Sequence, residues 1–448
     1  MRRESLPRIS TSLLTPIVTR VATPAIALTL SSLALLSAAC APASDADSGA
    51  PATVYEGARV ITGDGSIVED AVVVVREGRF AAVGARGEVD VPGGATTIDV
   101  SGKTIMPALV NAHIHMASER EEMIEQLRHT AYYGVGAVTS LGSDPGQLAL
   151  EMRDEEIAGA AHLRSAGRGI TRPEPGRAEV PYWINTPEEG RQAIRELSAQ
   201  NVDIVKIWVD DRNGQYEKLT PELYGAIIDE ARTYGLMVTA HIFTLEDAKG
   251  LLRAGINAFA HGIRDQDIDD ELVALWQERG DIVLVANLPD RAVPTDLDWL
   301  SGTISASQIE LMESSMTLDR PAAREAFGIQ ARNLARLHAE GARIAFGTDG
   351  SVPWAAHVEL EDMVAAGLPP MDALIAATRN SAELMGLDDM GVIEAGRSAD
   401  FIVLDANPLD DITNTRQIAD VILRGEAVDR AGFSAEMGVA AAEPASEG

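Results

Sequence analysis

The sequence predicts an α/β protein, a (β/α)8 TIM barrel carrying a small β-sandwich domain built from both chain ends. Through the middle of the chain, short apolar runs alternate with amphipathic helical stretches such as residues 220–234 and 245–254, the pattern of repeated βα units around a parallel sheet. A different texture brackets that middle. Residues 71–75, 80–83 and 96–100 are short β-branched or alternating runs punctuated by glycines, and runs of the same kind return at 399–404 and 421–423. A chain of 448 residues also suits one large barrel with an appendage, since eight βα units need about 250 residues.

Taken in order, residues 1–40 read as an export signal. Arg2, Arg3, Arg8 and Arg20 make a basic start, and residues 25–36 are almost wholly apolar or small, in a stretch short for a bilayer span. The stretch ends Leu36-Ser-Ala-Ala-Cys40, which resembles the lipobox of bacterial lipoproteins, with Ser37 where Leu is preferred. Cleavage there leaves a lipid-anchored Cys40, and cleavage after Ala39 as an ordinary signal leaves a soluble exported protein. Either way the expected location is periplasmic or at the cell envelope, with membrane contact only through an anchor. Residues 41–53 form a polar linker, 54–104 the first part of the β domain, 105–386 the barrel, 387–430 the second part of the β domain and 431–448 a disordered tail. Eight runs are candidate barrel strands: 108–115, 135–141, 162–167, 202–209, 236–242, 256–261, 281–287 and 343–348.

Composition removes several function classes. With 37 basic against 68 acidic residues the chain carries a formal charge of −31, which argues against nucleic acid or an anionic membrane surface as a partner. The single cysteine, Cys40, excludes an intramolecular disulfide and a cysteine-based metal site or nucleophile pair in the body. The chemistry must come from other groups.

His113 and His115 are two apart on the first candidate strand, so both side chains point to one face and can address one ion. Lys206 sits inside the apolar run Ile204-Val-Lys-Ile-Trp208, where a bare ammonium carries a heavy desolvation cost and needs a partner, a shifted pKa or a modification. His241, His261 and Asp349 end the fifth, sixth and eighth runs. In a barrel the C-terminal ends of all strands converge on one face, where active sites are built, so these residues become neighbours.

The order HxH, Lys, His, His, Asp resembles the amidohydrolase superfamily, in the branch grouped with imidazolonepropionases and prolidase-like dipeptidases. Met106-Pro-Ala-Leu-Val-Asn-Ala-His-Ile-His115 is similar to its opening motif, with Ala108 and Asn111 standing where Gly and Asp are usual. Gly347-Thr-Asp349 resembles the last-strand motif, residues 371–386 the helix after it, and Gly396-Arg-Ser-Ala-Asp-Phe-Ile-Val-Leu404 the returning strand. The resemblance covers nearly the whole mature chain. It implies two divalent metal ions, with zinc the best match to histidine-rich ligation and manganese or cobalt also admitted. His113, His115 and Asp349 would hold the first ion and His241 and His261 the second. A carboxylated Lys206 would bridge both, turning a buried cation into a bidentate anion. It further implies hydrolysis of an amide or peptide C–N bond by a metal-bridging hydroxide, with Asp349 as the catalytic acid and base. Dipeptides ending in proline or a basic residue, and N-acylated amino acids, are the expected small-molecule substrates, and a homo-oligomer is compatible with the family. Two other readings stand beside it: a mononuclear cyclic-amide hydrolase like the imidazolonepropionases, with Lys206 unmodified, and a non-catalytic binding lipoprotein.

Three more residues are candidates for touching substrate. His357 lies in the segment after the eighth strand, and Arg172 and Trp183 follow the third, where a guanidinium could hold a carboxylate and an indole could stack. His129, His162 and His338 read as structural. The acidic run 265–271 reads as the solvated start of a helix, and Arg264 beside it has no stronger claim on the site.

Overall fold

A computed structural model describes residues 51–436. The export signal, most of the linker and residues 437–448 lie outside the described residues.

All eight expected barrel strands form. They are Leu109–Ile114, Val135–Ser140, His162–Ser165, Val205–Trp208, Val238–His241, Ala258–Phe259, Val283–Val285 and Arg343–Ala345, and each pairs in parallel with its successor except at the seam between the third and fourth. Helices join them, for example Pro221–Thr233 and Leu245–Ala254 after the fourth and fifth strands. The second of these starts where Thr244 accepts a hydrogen bond from the Asp247 amide and stops at Gly255, whose φ of 93° is the left-handed turn that suits glycine. Strands of this kind are buried on both faces, which explains their unbroken apolar runs.

The join of the last strand to the first matters most for the site. The Ala112 amide donates to the Phe346 carbonyl (2.9 Å), and the amides of Thr348 and Asp349 both donate to the His113 carbonyl (3.1 and 2.9 Å). Residues 236 apart in sequence are thereby locked side by side. Asn111 adds a clamp, because its Nδ2 donates to Thr348 Oγ1 (2.9 Å) while its Oδ1 accepts from the His113 amide (3.1 Å). The residue that departs from the family pattern therefore supports the loop carrying Asp349. The other departure is accommodated opposite: a Cβ at Gly136 would come within 2.9 Å of the Ala108 methyl. At the other seam the Asp203 amide donates to the Ser165 carbonyl (3.1 Å), and its carboxylate accepts from the Ser165 amide (2.8 Å).

The chain ends make one eight-stranded sheet, in which the returning strand Phe401–Leu404 runs antiparallel to Thr104–Pro107. That strand leads directly into the barrel, so the sheet reaches slightly past the expected boundary at residue 104. Val72, Val73, Val74 and Val75 are all buried, Val73 and Val75 against Phe80 and Phe401, Val72 and Val74 against Ala52 and Val54. Both faces of the strand are covered, as a sandwich requires. The tail expected to be disordered from 431 begins instead with a helix, Arg430–Glu436, which places Phe433 4.6 Å from the His129 ring.

The helix expected over 371–386 is interrupted by a π-type turn at Ala376–Asn380. There Asn380 donates to the Ile344 carbonyl (2.8 Å), and Ser381 Oγ accepts from the Phe346 amide (2.9 Å). Both contacts fix the strand that delivers Asp349.

Candidate metal centre

His113, His115, Lys206, His241, His261 and Asp349 come together at the C-terminal mouth of the barrel. Asp349 Oδ1 lies 3.0 Å from His113 Nε2 and 3.1 Å from His115 Nε2, and its Oδ2 lies 3.6 Å from His261 Nε2. Lys206 Nζ is 3.4 Å from His113 Nε2. The rings of His261 and His113 are 5.1 Å apart, and those of His241 and His261 4.4 Å. Candidate ligand atoms of His113, His261 and Asp349 all lie within 4.8 Å of one another.

Burial sets the protonation states. His113 is pushed down to about 4, by desolvation first and by the neighbouring Lys206 second. His241 falls to about 3 and His261 well below its usual value, again chiefly through desolvation. All three are neutral imidazoles at neutral pH, the form a metal needs. Desolvation brings Lys206 from 10.5 to about 7, and among the described residues it makes no ion pair. Burial opposes ionisation of Asp349 too, but its histidine neighbours outweigh that effect and hold the carboxyl well below the usual range.

Three of the four imidazoles, those of His113, His241 and His261, are oriented from behind, whereas His115 Nδ1 is buried with no hydrogen-bond partner among the described residues. The His113 Nδ1–H faces the Ala260 carbonyl (3.3 Å), which aims the Nε2 lone pair at the Asp349 carboxylate. Two acceptors in that position call for a cation between them. His241 Nε2–H donates to Asp210 Oδ2 (3.1 Å), leaving Nδ1 for an ion. Asp210 is itself held by Arg212 (2.5 Å), which also reaches the buried Glu174 (3.1 Å). The Asn287 amide lies 2.7 Å from His261 Nδ1, and His261 Nε2 is buried with no hydrogen-bond partner. The Asn287 atom there is Nδ2; with that amide turned end for end, its carbonyl would accept the imidazole proton and free the Nε2 lone pair. An unpartnered inward nitrogen, neutral histidines and an ionised carboxylate fit a divalent cation.

Strain gathers at the same place. Asp349, Asn287 and Arg212 have φ of 50°, 41° and 55°, left-handed conformations uncommon for residues with side chains. Close packing adds to it, since a Cβ at Gly347 would come within 2.8 Å of the His113 Cβ. Space opens on the His115 side, where a cavity of about 410 Å³ is lined by His115, Met116, Gln126, Ser351 and Pro353 among others.

The candidate substrate residues fare differently. His357 is fully buried, with Nε2 3.0 Å from the Tyr133 carbonyl and Nδ1 3.1 Å from Thr415 Oγ1. Its expected contact with substrate is corrected: the residue lies within a helix, Ala355–Ala365, and both ring nitrogens are already used. Arg172 is likewise occupied, by the Ile184 carbonyl, Asn185 and Glu217. Trp183 is partly exposed, and its Nε1–H donates to the Ala178 carbonyl (2.8 Å). His129, His162 and His338 lie away from the metal-facing cluster, against Phe433, Arg424 and Asp372 respectively. The supporting residues Asp210, Arg212, Glu174 and Asn287 were missed in the sequence, where nothing but position at strand ends could have marked them.

Comparison with known proteins agrees with this architecture. The imidazolonepropionase of Deinococcus radiodurans is 28% identical over 390 residues, covering 81% of this chain and 93% of that one. The ochratoxinase of Aspergillus niger is 23% identical over 425 residues, covering 81% and 83%. Among solved structures, a candidate prolidase from Bifidobacterium longum superposes with a TM-score of 0.71 at 29% identity, covering 87% of this chain and 99% of its own. A model of the Amidohydrolase family matches residues 104–428, from the last strand of the first β segment through the barrel to the returning strands, and the chain belongs to that family of metal-dependent hydrolases of carbon–nitrogen bonds.

Proposed function

We propose that the protein hydrolyses the amide bond of a dipeptide or N-acyl amino acid with two divalent ions, zinc being the best match, and with a carboxylated Lys206 between them. The observation that carries this reading is Lys206 itself, wholly buried among apolar neighbours, without an ion pair among the described residues and facing the histidine–aspartate cluster. A primary amine brought down to about 7 is neutral often enough to add carbon dioxide, and the resulting anion answers both its burial and the cationic site. In this reading His113, His115 and Asp349 hold one ion and His241 and His261 the other. Bound metal supplies the activated water and polarises the scissile carbonyl. The chain's part is to hold His113, His241 and His261 neutral and aimed. Asp349 accepts a proton from the water and returns it to the leaving amine, for which its ionised carboxylate and its place beside His113 and His115 suit it.

A second reading keeps Lys206 unmodified with one ion. It draws on the closeness of Lys206 Nζ to His113 Nε2 and on the compact trio His113, His261 and Asp349. Metal content separates the two. Elemental mass spectrometry on protein prepared with bicarbonate is expected to give two ions per chain, falling to one or fewer in Lys206→Ala. Two ions surviving that substitution overturn the bridged centre. The proposed setting is the cell envelope after export, with Cys40 as lipid anchor, and it is checked by the mass of the mature N-terminus.

A further inference from the structure

Arg264 lies three residues past His261. Its guanidinium carbon is 3.3 Å from the centroid of the Phe243 ring, and that ring lies 4.4 Å from the His241 ring and 5.3 Å from the His261 ring. The stack holds a cation beside the two histidines that end the fifth and sixth strands. The Arg264 amide donates to the Phe243 carbonyl (3.0 Å), which ties the two loops together. Among the described residues its side chain has no hydrogen bond or ion pair.

That freedom is unusual in so acidic a chain. The neighbouring arginines are claimed: Arg172 by Glu217, Arg177 by Glu174, Arg212 by Glu174 and Asp210. The acids next to Arg264 are claimed too, Asp265 by the Leu245 amide (3.0 Å) and Asp267 by Arg332 (2.7 Å). Asp210 and Asp349, the carboxylates whose charge reaches it, are bound to His241 and to His113 and His115. A half-buried guanidinium centred over an aromatic ring, without an acceptor among the described residues, offers a fixed fork of N–H donors with much of its desolvation already incurred to an acid that enters beside the histidines.

We infer that Arg264 receives a carboxylate of the substrate, and so selects amides that carry a free acid over those that do not. The inference rests on the hydrolase reading above and gives that site a specificity residue. A purely structural Arg264, propping Phe243, leaves the choice between acid and amide untouched.

The test uses the metal-loaded, full-length mature protein with dipeptides and N-acetyl-L-amino acids, each beside its C-terminal amide. Wild type is expected to prefer the acid by roughly 30-fold or more in kcat/KM, as a charge-assisted bidentate contact gives. In Arg264→Met, with metal content still at the wild-type value, that preference collapses to within about threefold, through KM more than kcat. Arg264→Lys recovers only part, because it lacks the fork. A second readout is independent of turnover: phenylglyoxal labelling of Arg264, mapped by mass spectrometry, is blocked by N-acetyl-L-alanine and not by N-acetyl-L-alaninamide. Equal acid preference in wild type and Arg264→Met, or labelling indifferent to the acid, overturns the inference and leaves the hydrolase reading standing. Protection by the acid with no hydrolysis of any member of the panel does the reverse.

Discussion

His261 and His357 are two deeply buried histidines, and both are held neutral by desolvation, the first well below its usual pKa and the second at about 3. In the His357 pocket Tyr133 and Thr415 satisfy both ring nitrogens. In the His261 pocket one nitrogen meets Asn287 and the other, 3.6 Å from Asp349 Oδ2, makes no hydrogen bond among the described residues. Burial and a shifted pKa do not distinguish a ligand from a structural residue. What distinguishes them is whether the hydrogen-bond inventory closes. A closed inventory makes a rigid core element, and an open one aimed into a polar cluster makes a binding position.

The largest expected effect breaks the open side. In His261→Gln one metal equivalent is expected to be lost, and kcat/KM to fall by roughly 10³, since a missing Lewis acid removes several kcal/mol of transition-state stabilisation. Metal analysis and turnover with the preferred substrate check it. Retention of both ions together with near-wild-type turnover would mean that the unpartnered nitrogen marks no ligand.

A smaller effect sharpens the same point one layer out. Asp210 holds the His241 proton on Nε2, so Asp210→Asn is expected to weaken binding of one ion by about 10- to 100-fold while the other stays. A chelator titration that follows metal loss step by step resolves the two. Loss of both ions in one unchanged step contradicts the assignment of His241 to a separate position.

These contrasts also explain what the sequence could and could not show. Lys206 was legible because a lysine in an unbroken apolar strand is costly without a special role, and His113 and His115 because period-two geometry puts both on one face. His241, His261 and Asp349 were legible because parallel strands in a barrel end on a common face. The supporting layer was not. Asn287 and Arg212 adopt left-handed backbone conformations, and Asp210, two residues past the fourth strand, meets His241 only once the neighbouring strand is in place. No residue type announces such a loop path. Arg264 was passed over for a related reason: beside Asp265 and Asp267 it reads as one more solvated charge, and only the structure shows those acids committed elsewhere. His357 erred the other way, because its distance past the eighth strand suits a loop over the site, whereas helix formation from Ala355 turns the ring toward Tyr133 and Thr415.

The smallest effect concerns the closed pocket and is one of stability alone. His357 has a folded pKa of about 3 against 6.5 unfolded, so its neutral form contributes fully above about pH 6.5. As pH falls from there toward 3, the unfolded chain takes up a proton that the folded chain refuses, and that contribution is lost. In His357→Gln this proton uptake is absent. The stability-versus-pH slope across that window is therefore expected to be shallower by up to about 1.4 kcal/mol per pH unit, one proton's worth. His113 and His241 keep their own share of the acid sensitivity, so the curve flattens without becoming level. Urea unfolding of apo wild type and variant at several pH values between 4 and 7 gives the slopes. Metal content at neutral pH is expected to stay at the wild-type value, because neither ring nitrogen of His357 faces the cluster. A variant that loses metal, or keeps the full wild-type slope, would dissolve the distinction between the closed pocket and the open one.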